Sequence, residues 1–345
     1  MAKALPTDEF LARAKDLPVI DVRSPSEFNL GHIPGAVNVP LFSDEERARI
    51  GKTYKQLGRQ PAVMLGLRCI GPRMDEFARE LLGHASRAGD QALVHCWRGG
   101  MRSGSVAWLL ESFGCQVATL KGGYKAFRNW VLDGFEQPRA IHVVTGLTGS
   151  GKTEVLGELA VQGEQVIDLE ALAHHKGSAF GSLGQKPAPT QQQFENRLAF
   201  EWRAADPDRP LWLEDESRTI GRIRLPLEIW RQKQAGEFHR VEVPDEDRVQ
   251  HLCDGYAGHP PTLLAERVEA IRKRLGGDRV KEAIEAIETG DATTACRIVL
   301  AYYDKTYRHS LKRAAPANLT SHSFDRLDPA EMASTLAAAV RSSPP

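Results

Sequence analysis

Two spacings of apolar residues alternate along this chain. Short apolar runs with strand character are LPVIDVR (17–23), AVNVP (36–40), ALVHC (92–96) and VATLKGG (117–123). Between them, MDEFARELL (74–82) and SVAWLLESFG (105–114) carry helical spacing, and Gly114 closes the second. Strand and helix in turn predict a parallel α/β sheet. The pattern restarts at AIHVVTGLTGSGKTEVLGELA (140–160), an apolar strand, a glycine-rich turn and a helix. PLWLEDES (210–217) predicts a later strand that ends in acids. From about residue 260 three helical segments follow, 263–275, 279–288 and 293–307. The stretch LDGFEQPRA (132–140), with Gly134 and Pro138, reads as a linker. The expected domains are therefore 1–134 and 135–345, the second with a helical C-terminal part.

The 345 residues suit about two domains, and 41% hydrophobic residues suffice for ordinary cores. The formal net charge is +0, which removes the simplest argument for nucleic acid but leaves room for a local basic face. No run approaches the roughly 18 apolar residues of a membrane span. The N-terminus, MAKALPTDEF, lacks a basic-then-apolar signal pattern. The expected setting is the cytoplasm, with no membrane partner. Five cysteines, Cys69, Cys96, Cys115, Cys253 and Cys296, are widely spaced with no CxxC pair. That supports neither a zinc ribbon nor a disulfide framework.

One cysteine stands apart. Cys96 ends a predicted strand, and CWRGGMRS leads into a predicted helix. The unpaired amides and dipole at a helix N-terminus favour an anion. Arg98 and Arg102 add positive charge, and Gly99 and Gly100 permit backbone angles that turn amides inward. Each feature favours the thiolate, the reactive form. Two chemistries share this arrangement. In one, the cysteine attacks phosphorus and the arginine grips phosphate oxygens. In the other, the thiolate accepts and carries a sulfur or selenium atom.

VIDVRSPSEFNLGHIPGAVNVP (19–40) and GGYKAFR (122–128) resemble the two ends of a rhodanese domain, through Asp21, Arg23, Glu27, Gly31, His32, Pro34, Gly35 and Asn38. The loop from Cys96 to Arg102 is one residue longer than the usual sulfurtransferase loop. The longer form suits a larger atom or a tetrahedral group, and some phosphatases of this fold share it. Cys69, near a predicted helix start, reads as a structural thiol, with resolution of a selenosulfide on Cys96 as the alternative.

GLTGSGKT (146–153) fits the phosphate-loop pattern GxxxxGK[ST] without mismatch. Gly146, Gly149, Ser150 and Gly151 would wrap a phosphate, Lys152 would reach its oxygens, and Thr153 could hold magnesium. The pattern implies a di- or triphosphate site and leaves hydrolysis open. Glu214, Asp215 or Glu216 could supply a second acidic motif near the metal, and three acids at a strand end read equally as solvated turn residues. The adjacent pair His174 and His175 points different ways on a helix, and no metal is assigned to it.

With CWRGGMRS, GLTGSGKTEVL, LEDESRTIG (213–221) and PTQQQFENRLAFEW (189–202), the whole chain resembles the tRNA 2-selenouridine synthase family. The resemblance implies a rhodanese-like parallel-sheet domain, then a P-loop NTPase-like α/β domain with a helical C-terminal region. It implies exchange of sulfur for selenium in 2-thiouridine at the tRNA wobble position. Selenophosphate would be the donor, and geranyl diphosphate would supply an S-geranyl intermediate. Cys96 would carry the selenium, and a selenophosphate-producing enzyme would be a partner. The tRNA, through its anticodon region, would meet basic and aromatic segments. RTIGRIRLPLEIWRQKQ (218–234) offers Arg218, Arg222, Arg224, Arg231 and Lys233 with Trp230, and AYYDKTYRHSLKR (301–313) offers Lys305, Arg308, His309, Lys312 and Arg313 with Tyr302, Tyr303 and Tyr307. For each segment alone, a solvated helix face with its aromatics in the core is an equal reading. The alternatives are a rhodanese-fold cysteine phosphatase and an ATP-dependent sulfurtransferase.

Overall fold

The computed structural model describes residues 2–342 except 179, 257 and 314–317, and does not describe the side chains of 306 and 308–313. By contacts the chain divides into two units: Met1–Gly134 with Glu195–Ala199, and Phe135–Phe194 with Phe200–Pro345. The segment 195–199 clusters with the first unit, which a single cut at 134/135 does not anticipate.

The first unit is built on β1 (Lys3–Leu5), β2 (Val19–Asp21), β3 (Val37–Asn38), β4 (Gln91–His95) and β5 (Gln116–Leu120). They form one parallel sheet in the order β1-β5-β4-β2-β3. Four of these strands follow the apolar runs of the sequence. β1 is only three residues long and carried no such signal. The helices Asp44–Leu57 and Arg59–Ile70 also escaped the sequence reading. They are short of the amphipathic contrast that betrays the helix Met74–Ala85, which buries Phe77, Ala78, Leu81 and Ala85.

The second unit contains β6 (Ile141–Thr145), β7 (Gln165–Val166), β8 (Leu211–Glu214), β9 (Thr219–Ile220), β10 (Ile223–Arg224), β11 (Glu237–Glu242) and β12 (Leu319–Ser323). Five form a parallel sheet in the order β12-β11-β6-β8-β7, and β9 and β10 make a small antiparallel hairpin. β6 lies mid-sheet, wholly buried, which explains its unbroken apolar character. The C-terminal part is helical through Pro261–Ala270, Arg272–Leu275, Gly277–Glu288 and Ala292–Arg313. It is not helical throughout. The chain returns to the sheet as β12, an edge strand whose sequence LTSHS is too polar to signal burial. No helix among the described residues is long and apolar enough to cross a membrane.

Candidate functional site

The thiol loop begins where β4 ends. Residues 96–100 join it to the helix Met101–Ser112, whose N-cap is Gly100. Cys96 is buried, and its sulfur lies 3.2 Å from Ser103 Oγ in the first turn of that helix. Burial pushes the thiol up. The Ser103 hydroxyl and amide, the Arg102 charge and the Arg98 amide outweigh it, so the Cys96 pKa falls below its ordinary value. Arg102 is also fastened elsewhere: its Nη1 donates to Glu27 Oε2 at 2.8 Å, and Glu27 pairs with Arg47 at 3.1 Å. Arg98 is exposed.

Two backbones meet under this loop. Tyr124 N–H donates to the Cys96 carbonyl at 2.8 Å, and Lys125 N–H to that of Trp97 at 2.9 Å. Gly99 and Gly123 both have left-handed φ, +63° and +62°. A Cβ on Gly123 would strike the Cys96 carbonyl oxygen and the amides of Arg98 and Gly99. Gly100, singled out with Gly99 in the sequence, faces open space and serves as the helix cap. Gly123 lies in GGYKAFR, whose role no local pattern announces.

Behind the loop, Arg23 and Asp21 form a fully buried ion pair at 2.6 Å. The Arg23 guanidinium stacks 3.7 Å from the Tyr124 ring centre and donates to the Gly31 carbonyl at 2.7 Å. Asn38 Nδ2 donates to the carbonyls of Asp21 and Arg23. Tyr124 Oη in turn accepts from Asn196 Nδ2 at 2.8 Å. These residues hold the loop in place and do not touch the sulfur.

The phosphate loop follows β6 and leads into the helix Lys152–Val161. Gly149 and Gly151 have φ of +81° and +75°, and a Cβ on Gly146 would come within 2.6 Å of Ser150 Oγ. Among the described residues the buried Ser150 Oγ finds no hydrogen-bond partner, and an anion's oxygen would satisfy it. Lys152 Nζ donates to the loop carbonyls of Gly146 at 3.1 Å and Leu147 at 3.3 Å, so its charge sits within the loop. Backbone, glycines and lysine together fit a phosphate group.

The acids beside the loop are arranged differently from the sequence reading. Thr153 Oγ1 donates to Glu170 Oε2 at 3.2 Å. Burial and the facing Glu216 charge push Glu170 up to about 8. Burial also raises Glu216, against the pull of Lys152, and the two carboxyls share a hydrogen bond. Glu214 is buried and accepts the Glu170 amide at 2.7 Å. Asp215 accepts Thr145 Oγ1 at 2.7 Å and Lys233 Nζ at 2.8 Å. The carboxyls facing Thr153 and Lys152 are therefore Glu170 and, of the three sequence candidates, Glu216, while Glu214 accepts the Glu170 amide and Asp215 pairs with Lys233. Glu170 was missed because it lies outside every motif.

Residues 139–262 match the family model described as the tRNA 2-selenouridine synthase AAA domain, and residues 6–129 match the rhodanese-like domain. Sequences named tRNA 2-selenouridine synthase from Nitrosomonas europaea, Azotobacter vinelandii and Shewanella loihica are 32%, 35% and 34% identical to it. The alignments cover 86%, 90% and 91% of this chain and 90%, 92% and 93% of the relatives. The chain belongs to the tRNA 2-selenouridine synthase family.

In this member of the tRNA 2-selenouridine synthase family an apolar cavity of about 220 Å³ opens beside the phosphate loop. Thr148 of the loop forms part of its wall, and Phe180, Tyr256, Leu264, Ala295 and Val299 form much of the rest. The basic segments proposed for tRNA fare unequally. Lys233 is fully buried in its ion pair with Asp215 and is unavailable to a phosphate backbone. Arg222 and Arg224 are exposed on the β9–β10 hairpin, with Arg222 donating to the Ala188 carbonyl. The side chains of Arg308, Lys312 and Arg313 lie outside the described residues. Tyr307 Oη meets Thr145 Oγ1 at 2.9 Å, and Tyr303 lines the cavity. Those two aromatics serve the interior rather than a stacking surface. Cys69 is half-buried on the helix Arg59–Ile70.

Proposed function

We propose that this chain replaces the sulfur of 2-thiouridine at the tRNA wobble position with selenium, through an S-geranyl intermediate. Its family makes it an enzyme of tRNA modification, a transferase. The observation that carries the finer reading is the apolar cavity walled in part by Thr148 of the phosphate loop. A prenyl diphosphate has one end for each: the diphosphate for the loop, the hydrocarbon for the cavity. The thiocarbonyl sulfur attacks the first carbon of geranyl diphosphate, and the carbon–oxygen bond breaks with its electron pair on diphosphate. Lys152 and the loop amides stabilise that leaving charge. A selenium nucleophile then attacks C2 of the uridine, and geranylthiolate departs.

Cys96 is the residue proposed to open selenophosphate: its thiolate attacks phosphorus, the phosphorus–selenium bond breaks with its electron pair on selenium, the hydrogen selenide released is the nucleophile at C2, and water returns the phosphorylated cysteine to thiol and phosphate. Its lowered pKa supports this, because the thiolate is the attacking form. A selenophosphate-producing enzyme is the matching partner, and the anticodon region of tRNA the matching substrate. A magnesium ion fits beside the phosphate loop. Thr153 Oγ1, Glu170 and Glu216 offer hard oxygen donors, and the two carboxyls carry one shared hydrogen bond where a cation would suit them better. When bound, such an ion would neutralise charge on the diphosphate.

The test is nucleoside mass spectrometry on 2-thiouridine tRNA incubated with purified chain. Lys152→Ala should lose geranylation at limiting geranyl diphosphate, and Cys96→Ala should lose 2-selenouridine while geranylation persists. Normal geranylation by Lys152→Ala would overturn the assignment of the loop.

A further inference from the structure

We propose that His142, Glu237 and His239 form a binding site for a divalent transition-metal ion, zinc by preference, at the far end of the sheet from the phosphate loop. The pairing of the strands assembles it. β6 pairs with β11 in parallel, with Glu237 opposite His142. Paired residues share a face, and His239, two positions on from Glu237, shares it too. β12 extends the same face, because His322 pairs with Val241, two positions beyond His239. Three strands thus bring three imidazoles and a carboxylate to one side of the sheet.

The ligand atoms converge. His142 Nδ1 lies 3.0 Å from His239 Nε2 and 3.6 Å from Glu237 Oε2. All three atoms lie within 4.8 Å of one another. Nitrogen and oxygen ligands at zinc distances of about 2.0–2.1 Å, set tetrahedrally, are spaced roughly 3.3 Å apart. The observed separations bracket that value. His142 and His239 are buried, whereas the Glu237 side chain is 54% exposed, which leaves a fourth position on the solvent side. His322 completes the arrangement. Its Nε2 lies 3.4 Å from His239 Nδ1, the ring nitrogen left over if Nε2 binds the ion. A ligating histidine ordinarily donates that second N–H to an acceptor, and the Nε2 lone pair of neutral His322 can accept it. Burial keeps all three rings below their ordinary pKa, so their lone pairs stay available.

The site is structural. His142 precedes Gly146 by four residues of extended strand, about 13 Å. It joins β6 to β11 and takes no part in the proposed transfer chemistry. Two neutral histidines 3.0 Å apart are also satisfied by one hydrogen bond, and the experiment separates these cases.

Full-length chain, stripped with chelator, is incubated with zinc, desalted and assayed for bound metal. Cobalt is then used as a spectroscopic probe. The proposal expects one zinc per chain, a tetrahedral cobalt visible spectrum without thiolate charge-transfer absorption, and a higher unfolding midpoint with zinc. Glu237→Gln, at an exposed position that folding tolerates, should weaken zinc binding at least tenfold, as should His142→Gln. His322→Gln should keep the stoichiometry and lower the affinity by about tenfold. No retained zinc, unchanged affinity in Glu237→Gln, or a thiolate cobalt spectrum would each overturn the proposal.

Discussion

Ser103 Oγ stands 3.2 Å from the sulfur of Cys96 and equally 3.2 Å from the Gly100 carbonyl oxygen. A hydroxyl has one proton to donate. It can serve the carbonyl while Cys96 is a thiol and turn to the sulfur when a thiolate forms. A hydrogen bond to a charged group is worth about 1.5–3 kcal/mol. Ser103→Ala should therefore raise the Cys96 pKa and slow its alkylation by iodoacetamide at pH 7 about tenfold or more. The pH profile of alkylation measures both effects.

Gly123 and Gly100 offer a matched comparison. Gly123→Ala places a Cβ against the Cys96 carbonyl and two amides at a φ of +62°, so the thiol loop must shift. The strain should cost about 1–3 kcal/mol or more and reduce selenium transfer sharply. Gly100→Ala, with open space at its Cβ and an ordinary φ, should cost under about 1 kcal/mol. Chemical denaturation of the two variants gives the difference.

The ion pair of Arg23 and Asp21 has no exposure to solvent. Removing one partner leaves an uncompensated buried charge, and Arg23→Met should destabilise the first unit by about 3–5 kcal/mol. Replacing both residues with apolar ones should cost much less. Denaturation midpoints of the single and double variants check this ordering.

Glu170 titrates near 8 in the folded chain against an ordinary 4.5, so the folded state holds its proton more tightly. Its contribution to the stability of the second unit is complete at acid pH and falls as pH rises from about 4.5 through about 8. Glu170→Gln should flatten that decline, and magnesium with diphosphate should do so in the unmutated chain. Unfolding midpoints between pH 5 and 9 give the slope.

Filling the cavity tests its ligand. Ala295→Phe puts a ring where the hydrocarbon chain is proposed to lie, and should raise the KM for geranyl diphosphate about tenfold or more. Diphosphate alone should bind as before. A KM unchanged in a folded variant would move the prenyl site elsewhere.

Much of this molecule is legible in one dimension. The strands β2, β4, β5 and β6 are buried and apolar, and they announce themselves. The loops at Cys96 and Lys152 are equally plain, because glycines, a strand before and a helix after specify their shape through local backbone rules. β12 and Glu170 were not legible. An edge strand is half exposed and needs no apolar run, and a carboxylate outside any motif carries no mark of its neighbours. Lys233 misleads for the same reason, since its burial against Asp215 depends on a partner 18 residues away in the chain.

The order of residues alone marked the strands β2, β4, β5 and β6, the glycine-rich loop after Cys96 and the phosphate loop, since each rests on spacing within a few turns of backbone. Only the tertiary structure decided which groups face one another: Gly123 under Cys96, Glu170 and Glu216 beside Thr153, and His142, Glu237 and His239 on one face of a sheet. Such pairings depend on strand order and register, which are set by the packing of the whole unit and leave no local trace.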